Sequence, residues 1–179
     1  MYVESINTYF IENPKCASRS IDAALRKTFD FKDLSVQGHV FFEDALKRIP
    51  KNARIIGIVR NPEQRLISSV RMKCEDIAEA KQRLQKVING LEKAKGVITY
   101  HVFGPQSRYV KIHDRCEIFA FEDLKSVFNI INPNLEVLHE NKASSPLSHN
   151  SIRSLSCFET ALKIYKEDFP LYESVMSYA

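Results

Sequence analysis

The chain has no apolar run approaching the roughly 20 residues that a bilayer-spanning helix needs. Its N-terminus also lacks the basic-then-apolar layout of a secretory leader. These two absences point to a soluble, cytoplasmic-type protein. The four cysteines, Cys16, Cys74, Cys116 and Cys157, stand far apart. There is no Cys-x-x-Cys pair and no Cys/His zinc spacing, so free thiols in a reducing compartment are expected, with neither a disulfide framework nor a metal site. No run of Lys or Arg is dense enough to mark a nucleic-acid surface. The formal net charge of +4 is spread over 179 residues and suits an anionic ligand. No internal repeat or low-complexity tract occurs. With 44% hydrophobic and 27% charged residues, the composition is ordinary globular material. The length fits one domain, residues 1–179, with a sizeable core.

The hydrophobic pattern alternates between strand-like and helix-like stretches. Thr8-Tyr-Phe-Ile11 is a β-prone run that ends at Asn13-Pro14. From Ser18 the apolar residues Ile21, Ala24 and Leu25 recur at helical spacing, with Ser18 or Ser20 as the expected cap. Ser35 to Val40 reads as a short strand entering a loop, and Phe41 to Arg48 as a brief helix. Arg54 to Val59 is the clearest buried strand, nearly continuous in Ile and Val as in sheets covered on both faces. Pro62 suits the first position of the next helix. Glu75 to Lys95 predicts an amphipathic helix stopped by Gly96, its apolar stripe fitting the core or the surface of a homodimer. A strand at Glu117–Phe121, a helix through Leu124, Val127 and Ile131, a short strand at Leu135–Leu138 and a final helix from about Ser151 to Glu167 complete the reading. Strands alternating with helices imply an α/β sheet, largely parallel, whose ligands bind beyond the carboxyl ends of the strands.

Two basic-hydroxyl clusters fall at such ends. In Pro14-Lys15-Cys16-Ala17-Ser18-Arg19-Ser20, a loop entering a helix supplies backbone N–H groups and the positive end of the dipole, with Lys15, Ser18 and Ser20 added. This is the work of a phosphate loop. Both glycines of Gly-x4-Gly-Lys-[Ser/Thr] are missing, however, and the lysine comes early, which disfavours a kinase or GTPase. In Arg60-Asn-Pro-Glu-Gln-Arg65-Leu-Ile-Ser68, one cation leaves a buried strand, and a second cation, Arg65, and a hydroxyl, Ser68, follow on the first turns of the next helix, which suits an anion. Taken alone, each cluster also fits solvated charges and a simple cap. Together they suit a ligand phosphorylated at both ends.

The pair resembles the sulfotransferase family that uses 3′-phosphoadenosine 5′-phosphosulfate (PAPS). Lys15-Cys-Ala-Ser-Arg-Ser20 is similar to the 5′-phosphosulfate loop, commonly Pro-Lys-x-x-[Ser/Thr]-[Ser/Thr]-Ser. Arg60-Asn-Pro-x-x-Arg-x-x-Ser68 is similar to the more specific 3′-phosphate motif, Arg-[Asp/Asn]-Pro-x-x-Arg-x-x-Ser. Gly38-His-Val-Phe-Phe-Glu-Asp44 resembles a Gly-His-Val segment of carbohydrate sulfotransferases, especially uronyl 2-O-sulfotransferases. His101-Val-Phe-Gly-Pro-Gln106, Phe121-Glu-Asp-Leu124 and Ile164-Tyr-Lys-Glu-Asp-Phe169 also resemble family segments. Two departures stand out: Arg19 sits where a small hydroxyl residue is common, and the chain is short for a catalytic domain of this family.

The resemblance implies a P-loop NTPase-like three-layer sandwich, a mainly parallel central sheet flanked by helices. It implies sulfuryl transfer from PAPS to a hydroxyl acceptor such as a carbohydrate, leaving 3′-phosphoadenosine 5′-phosphate, without a metal. Lys15 would neutralise the bridging oxygen. Cys16, Ala17, Ser18, Arg19 and Ser20 would form the donor loop, Arg60 and Ser68 would clamp the 3′-phosphate, and Lys142 in a late polar loop would close over the donor. His39 is the implied base, with His101 and His113 as weaker alternatives. Gln106 is weighed as either an acceptor contact or a turn residue, and Glu43 and Asp44 as helix-surface charge. Alternative readings are a non-catalytic nucleotide-binding module of the same fold and a nucleotide kinase-like P-loop protein.

Overall fold

The computed structural model describes residues 1–90, 101–136 and 145–177. Five strands form one sheet in the order β3-β1-β2-β4-β5, comprising β1 (Tyr2–Val3), β2 (Thr8–Phe10), β3 (Leu34–Ser35), β4 (Arg54–Val59) and β5 (Cys116–Ala120). The sheet is mixed. β2, β4 and β5 run parallel, with Phe10 opposite Ile56 and Val59 opposite Ala120. β1 pairs antiparallel with both β2 and β3. The expectation of a mainly parallel sheet therefore holds for one half only. The other half rests on two-residue strands, too short to show a two-residue period.

β4 is buried along its length apart from Arg54, and its side chains alternate between faces. Ile56 and Ile58 join Phe10, Ile21, Ala24, Leu25, Val127 and Phe128 on one side. Ile55 and Val59 join Tyr9, Ile11, Phe42, Ala45, Tyr109, Val110 and Leu171 on the other. Helices thus cover both faces: α1 (Ser18–Thr28) and α5 (Leu124–Ile131) on the first, α2 (Phe42–Leu46) and α8 (Asp168–Met176) on the second. Gly57 faces Val110 so closely that an added Cβ would lie 2.8 Å from its Cγ1, so the absent side chain is what lets the segment at Val110 lie against the sheet. A further core cluster, centred on Leu66, Leu84, Ile152, Phe158 and Tyr165, joins α3 (Pro62–Arg71), α4 (Ile77–Ile88), α6 (His149–Arg153) and α7 (Phe158–Leu162).

α4 starts at an Asp76 cap; Gly96 and residues 91–95 of the predicted helix lie outside the described residues. Leu135 is in no strand, and 137–138 are likewise outside. The single final helix predicted from Ser151 is instead α6, α7, a 3-10 turn at Lys163–Tyr165, and then α8. Ser154 and Ser156 are weak helix formers, and Ser154 Oγ bonds back to the Ser151 carbonyl at 3.1 Å, a local contact that competes with the helix ladder.

Candidate functional site

Because β2 and β4 are parallel neighbours, the loops that leave them emerge side by side at one end of the sheet. The loop after β2 is shaped without glycine. Lys15 and Ala17 both take left-handed backbone conformations, at φ 65° and 61°, each costing about 1–3 kcal/mol for a non-glycine residue. α1 begins directly afterwards, at Ser18, with Ala17 as its N-cap and no side-chain cap bond. Neither Ser18 nor Ser20 is the expected cap: they occupy the first turn, where the dipole's positive end lies.

Three buried polar groups hold this loop in place. Asn13 Nδ2 donates to the Ile58 carbonyl at 2.8 Å. Arg65, 1% exposed, donates from Nε to the Pro14 carbonyl at 3.0 Å. Cys16, 1% exposed, points its thiol at Gln106 Oε1, 3.6 Å away, and burial pushes that thiol up to about 11. The side chain of Cys16 thus belongs to the core, which leaves its backbone as the part that can meet a ligand.

The loop after β4 carries Arg60. Its guanidinium lies 4.3 Å from the centre of the Phe121 ring, a cation–π arrangement, and Nη1 donates to the Lys15 carbonyl at 3.4 Å. The two clusters therefore share one crevice. Asn61 caps α3, accepting from the amides of Glu63 and Gln64, and Pro62 fills the first helical position, as the sequence predicted. Ser68 is half-buried on α3 and makes no side-chain hydrogen bond among the described residues.

Four cations lie close together here, one of them, Arg65, buried behind the loop. Burial, then the charges of Arg60, Arg19 and Arg65, lower Lys15 to about 8. Among the described residues, neither Lys15 nor Arg60 forms an ion pair with a carboxylate; Glu122 is the one acid whose charge favours ionised Arg60. A cluster that penalises its own charge in this way is stabilised by an incoming anion, and its residues fit a phosphorylated ligand.

Behind the crevice runs a polar network with little sequence signal. Gln106, fully buried, accepts from the Arg60 amide at 3.0 Å and donates to the Arg60 carbonyl at 2.8 Å. It is a bracket between two loops, which corrects the acceptor-contact reading. Asp168, also fully buried, accepts from the amides of Gln106 and Ser107 at 2.8 and 2.9 Å. Burial raises its pKa, while the Arg65 charge and the two amides oppose that rise. The sequence marks Asn13 only as a turn residue before Pro14 and Asp168 only as part of Ile164–Phe169; nothing local signals their buried hydrogen bonds.

His39 is exposed, two residues before Phe41. Its Nδ1 lies 2.5 Å from the Glu12 carbonyl, which can only accept. In the neutral ring the proton therefore sits on Nδ1, and Nε2 carries the free lone pair. Gly38, at φ 97°, turns the chain so that its amide donates to Glu12 Oε1 at 2.7 Å. His101 lies 5.9 Å from His39 between ring centres and bonds Tyr109 Oη at 2.7 Å; burial, then the charge of His39, lowers its pKa. His113 pairs with Asp114, Glu43 with Lys111 and Asp44 with Lys47, the last two as surface charge.

The structure brings together Lys15, Cys16, Ala17, Ser18, Arg19, Ser20 and Arg60, with Ser68 on the adjoining helix and His39 bonded to the residue leading into the loop. Lys142 and His139 lie outside the described residues. Among the described residues, no group of His, Cys, Asp and Glu has a metal-holding arrangement, and no helix is long and apolar enough to cross a membrane. Comparison of the chain with protein-family models, curated proteins and solved structures found no match.

Proposed function

We propose that this chain transfers a sulfuryl group from PAPS to a hydroxyl acceptor such as a carbohydrate, on a P-loop-like α/β scaffold. The observation that carries the reading is the junction of Lys15 and Arg60: two cations from separate strand ends, joined through the Lys15 carbonyl and lacking carboxylate partners among the described residues. One crevice with two cationic poles suits a ligand with a phosphate at each end.

Lys15 and the first turn of α1 hold the 5′ end, while Arg60 and Ser68 hold the 3′-phosphate. In the reaction a new S–O bond forms to the acceptor oxygen as the bond from sulfur to the 5′-phosphate oxygen breaks. The acceptor proton passes to His39 Nε2, and Lys15 neutralises the negative charge left on the departing phosphate. Like phosphoryl transfer, this relies mainly on positioning and electrostatic stabilisation.

Titration calorimetry with 3′-phosphoadenosine 5′-phosphate tests the binding half. Arg60→Ala is expected to weaken affinity about 10- to 100-fold, the range for charge-assisted hydrogen bonds; unchanged affinity refutes the assignment. A radiolabelled-sulfate assay over an acceptor array tests the chemistry. His39→Ala should lower kcat about 100- to 10,000-fold with donor affinity unchanged. Donor binding without transfer to any acceptor would instead favour a non-catalytic nucleotide-binding module.

A further inference from the structure

α6 lies alongside α3. Arg153 pairs with Glu63 near the start of α3, and at the other end Arg71 Nη1 lies 3.3 Å from His149 Nε2. Ser68 and Arg71 are three residues apart on α3 and so share a face. Arg71 has further capacity: Nη2 reaches the Ser145 carbonyl at 3.4 Å, while Nε is buried with no partner among the described residues. The charge of Arg60 reaches His149 as well. Ser68 and Arg71 thus present one face of α3, with His149 against its far end and the Arg60 charge acting on the same imidazole.

An arginine only donates, so the contact with Arg71 fixes His149 as a neutral ring whose Nε2 accepts. The surroundings of the imidazole reinforce that state: burial first, then the charges of Arg71 on α3, Arg60 beyond β4 and Arg153 on its own helix, all disfavour the imidazolium. Glu63 is engaged by Arg153. α4 and α7 meet α6 through the apolar cluster of Leu84, Val87, Ile152 and Phe158; of their charged groups, Glu79 and Arg83 pair with each other, and Glu159 is exposed on α7.

We propose that Arg71 and His149 form the far wall of the 3′-phosphate seat, and that His149 takes up a proton when that phosphate binds. A dianion entering this seat draws the Arg71 guanidinium to itself. Nε2 is released, takes a proton from solvent and, as part of the imidazolium, donates a hydrogen bond to a phosphate oxygen. This inference rests on the nucleotide-donor reading above.

The test is calorimetry of 3′-phosphoadenosine 5′-phosphate binding between pH 6 and pH 8, in two buffers of different ionisation enthalpy. The ligand's phosphates titrate near pH 6 and release protons on binding, so the quantity read is the difference between wild type and His149→Gln. Wild type should take up more protons than the variant near pH 7. Its affinity advantage over the variant should grow about tenfold as pH falls from 8 to 6, the equivalent of one pKa unit. Adenosine 5′-phosphosulfate, which lacks the 3′-phosphate, should show no such difference. Identical proton counts and pH profiles in wild type and variant overturn the proposal, as does a difference that persists with the 5′-only ligand. If wild type binds no 3′-phosphoadenosine 5′-phosphate, the donor reading itself has failed; if wild type binds it and Arg60→Ala does not, only the His149 inference is at stake.

Discussion

The loops that follow β2 and β4 make the same strand-to-helix connection by opposite means. The one at Arg60 enters its helix on local residues: Asn61 caps it and Pro62 presets the first helical φ, while Gln106 holds only the Arg60 backbone ahead of them. The one at Lys15 does not. It holds two non-glycine residues in left-handed conformations, has no side-chain cap, and takes its support from elsewhere, with Arg65 from α3 and Gln106 from the segment before β5. A glycine-rich phosphate loop obtains such turns without strain. This one replaces glycine with imported hydrogen bonds, so its geometry depends on residues distant in sequence. Arg60 and Arg65 show the contrast within one motif: Arg60 faces the crevice, whereas Arg65 is buried behind the other loop.

The sharpest way to break this difference is Arg65→Ala. It leaves the Pro14 carbonyl without its buried donor, opens a cavity and removes the cation that offsets Asp168. Destabilisation of about 3 kcal/mol is expected, measured by urea unfolding. Affinity for 3′-phosphoadenosine 5′-phosphate should fall as well, although Arg65 does not line the crevice. Full stability would show that the first loop holds its own shape.

What was legible in the sequence follows the same division. β4 and the helices α1, α2 and α5 announce themselves through continuous or periodic apolar residues, because burial of a whole face leaves a repeating trace; α8 begins where the expected last helix ends. That the two basic-hydroxyl stretches meet was also readable, since each follows a strand whose loop leaves the same end of the sheet. The supports were not. Asn13, Gln106 and Asp168 act through single long-range hydrogen bonds to backbone atoms, and no local pattern marks such a bond. The two-residue strand β1 left no trace for the same reason, and β3 (Leu34–Ser35) meets the strand expected at Ser35–Val40 at Ser35 alone: their pairing partners, not their own sequences, define them.

Lys15 sharpens the comparison through pH. Its amine is lowered from the usual lysine value to about 8 by burial and by Arg60, Arg19 and Arg65, whereas an arginine stays charged throughout the accessible range. The sign follows from the depressed value: below about pH 8 Lys15 is charged in the free protein, and above it binding an anion must be accompanied by uptake of a proton. Affinity for 3′-phosphoadenosine 5′-phosphate should therefore be level in this respect up to about pH 8 and fall by up to tenfold per unit beyond it. Lys15→Arg should remove that alkaline fall. A wild-type profile flat from pH 7.5 to 9.5 would show that Lys15 does not meet the ligand. The window lies above the one in which His149 acts, so the two effects separate.

The smallest effect concerns strain itself. Ala17 sits at φ 61° as the N-cap of α1, where glycine is at ease and alanine is not. Ala17→Gly removes the left-handed strain but also frees the unfolded chain, which works against folding by about 0.4–1 kcal/mol. A residue at a relaxed turn would show only that loss. Here relief of strain should exceed it, for a net stabilisation of up to about 1 kcal/mol, read as a higher urea midpoint with an unchanged slope. Donor affinity gives the second readout. If the imported hydrogen bonds fix the loop, the glycine variant keeps the wild-type affinity; if the left-handed alanine helps hold the amides in place, affinity falls while stability rises. A destabilised Ala17→Gly variant would mean that the surrounding structure has already accommodated the strain.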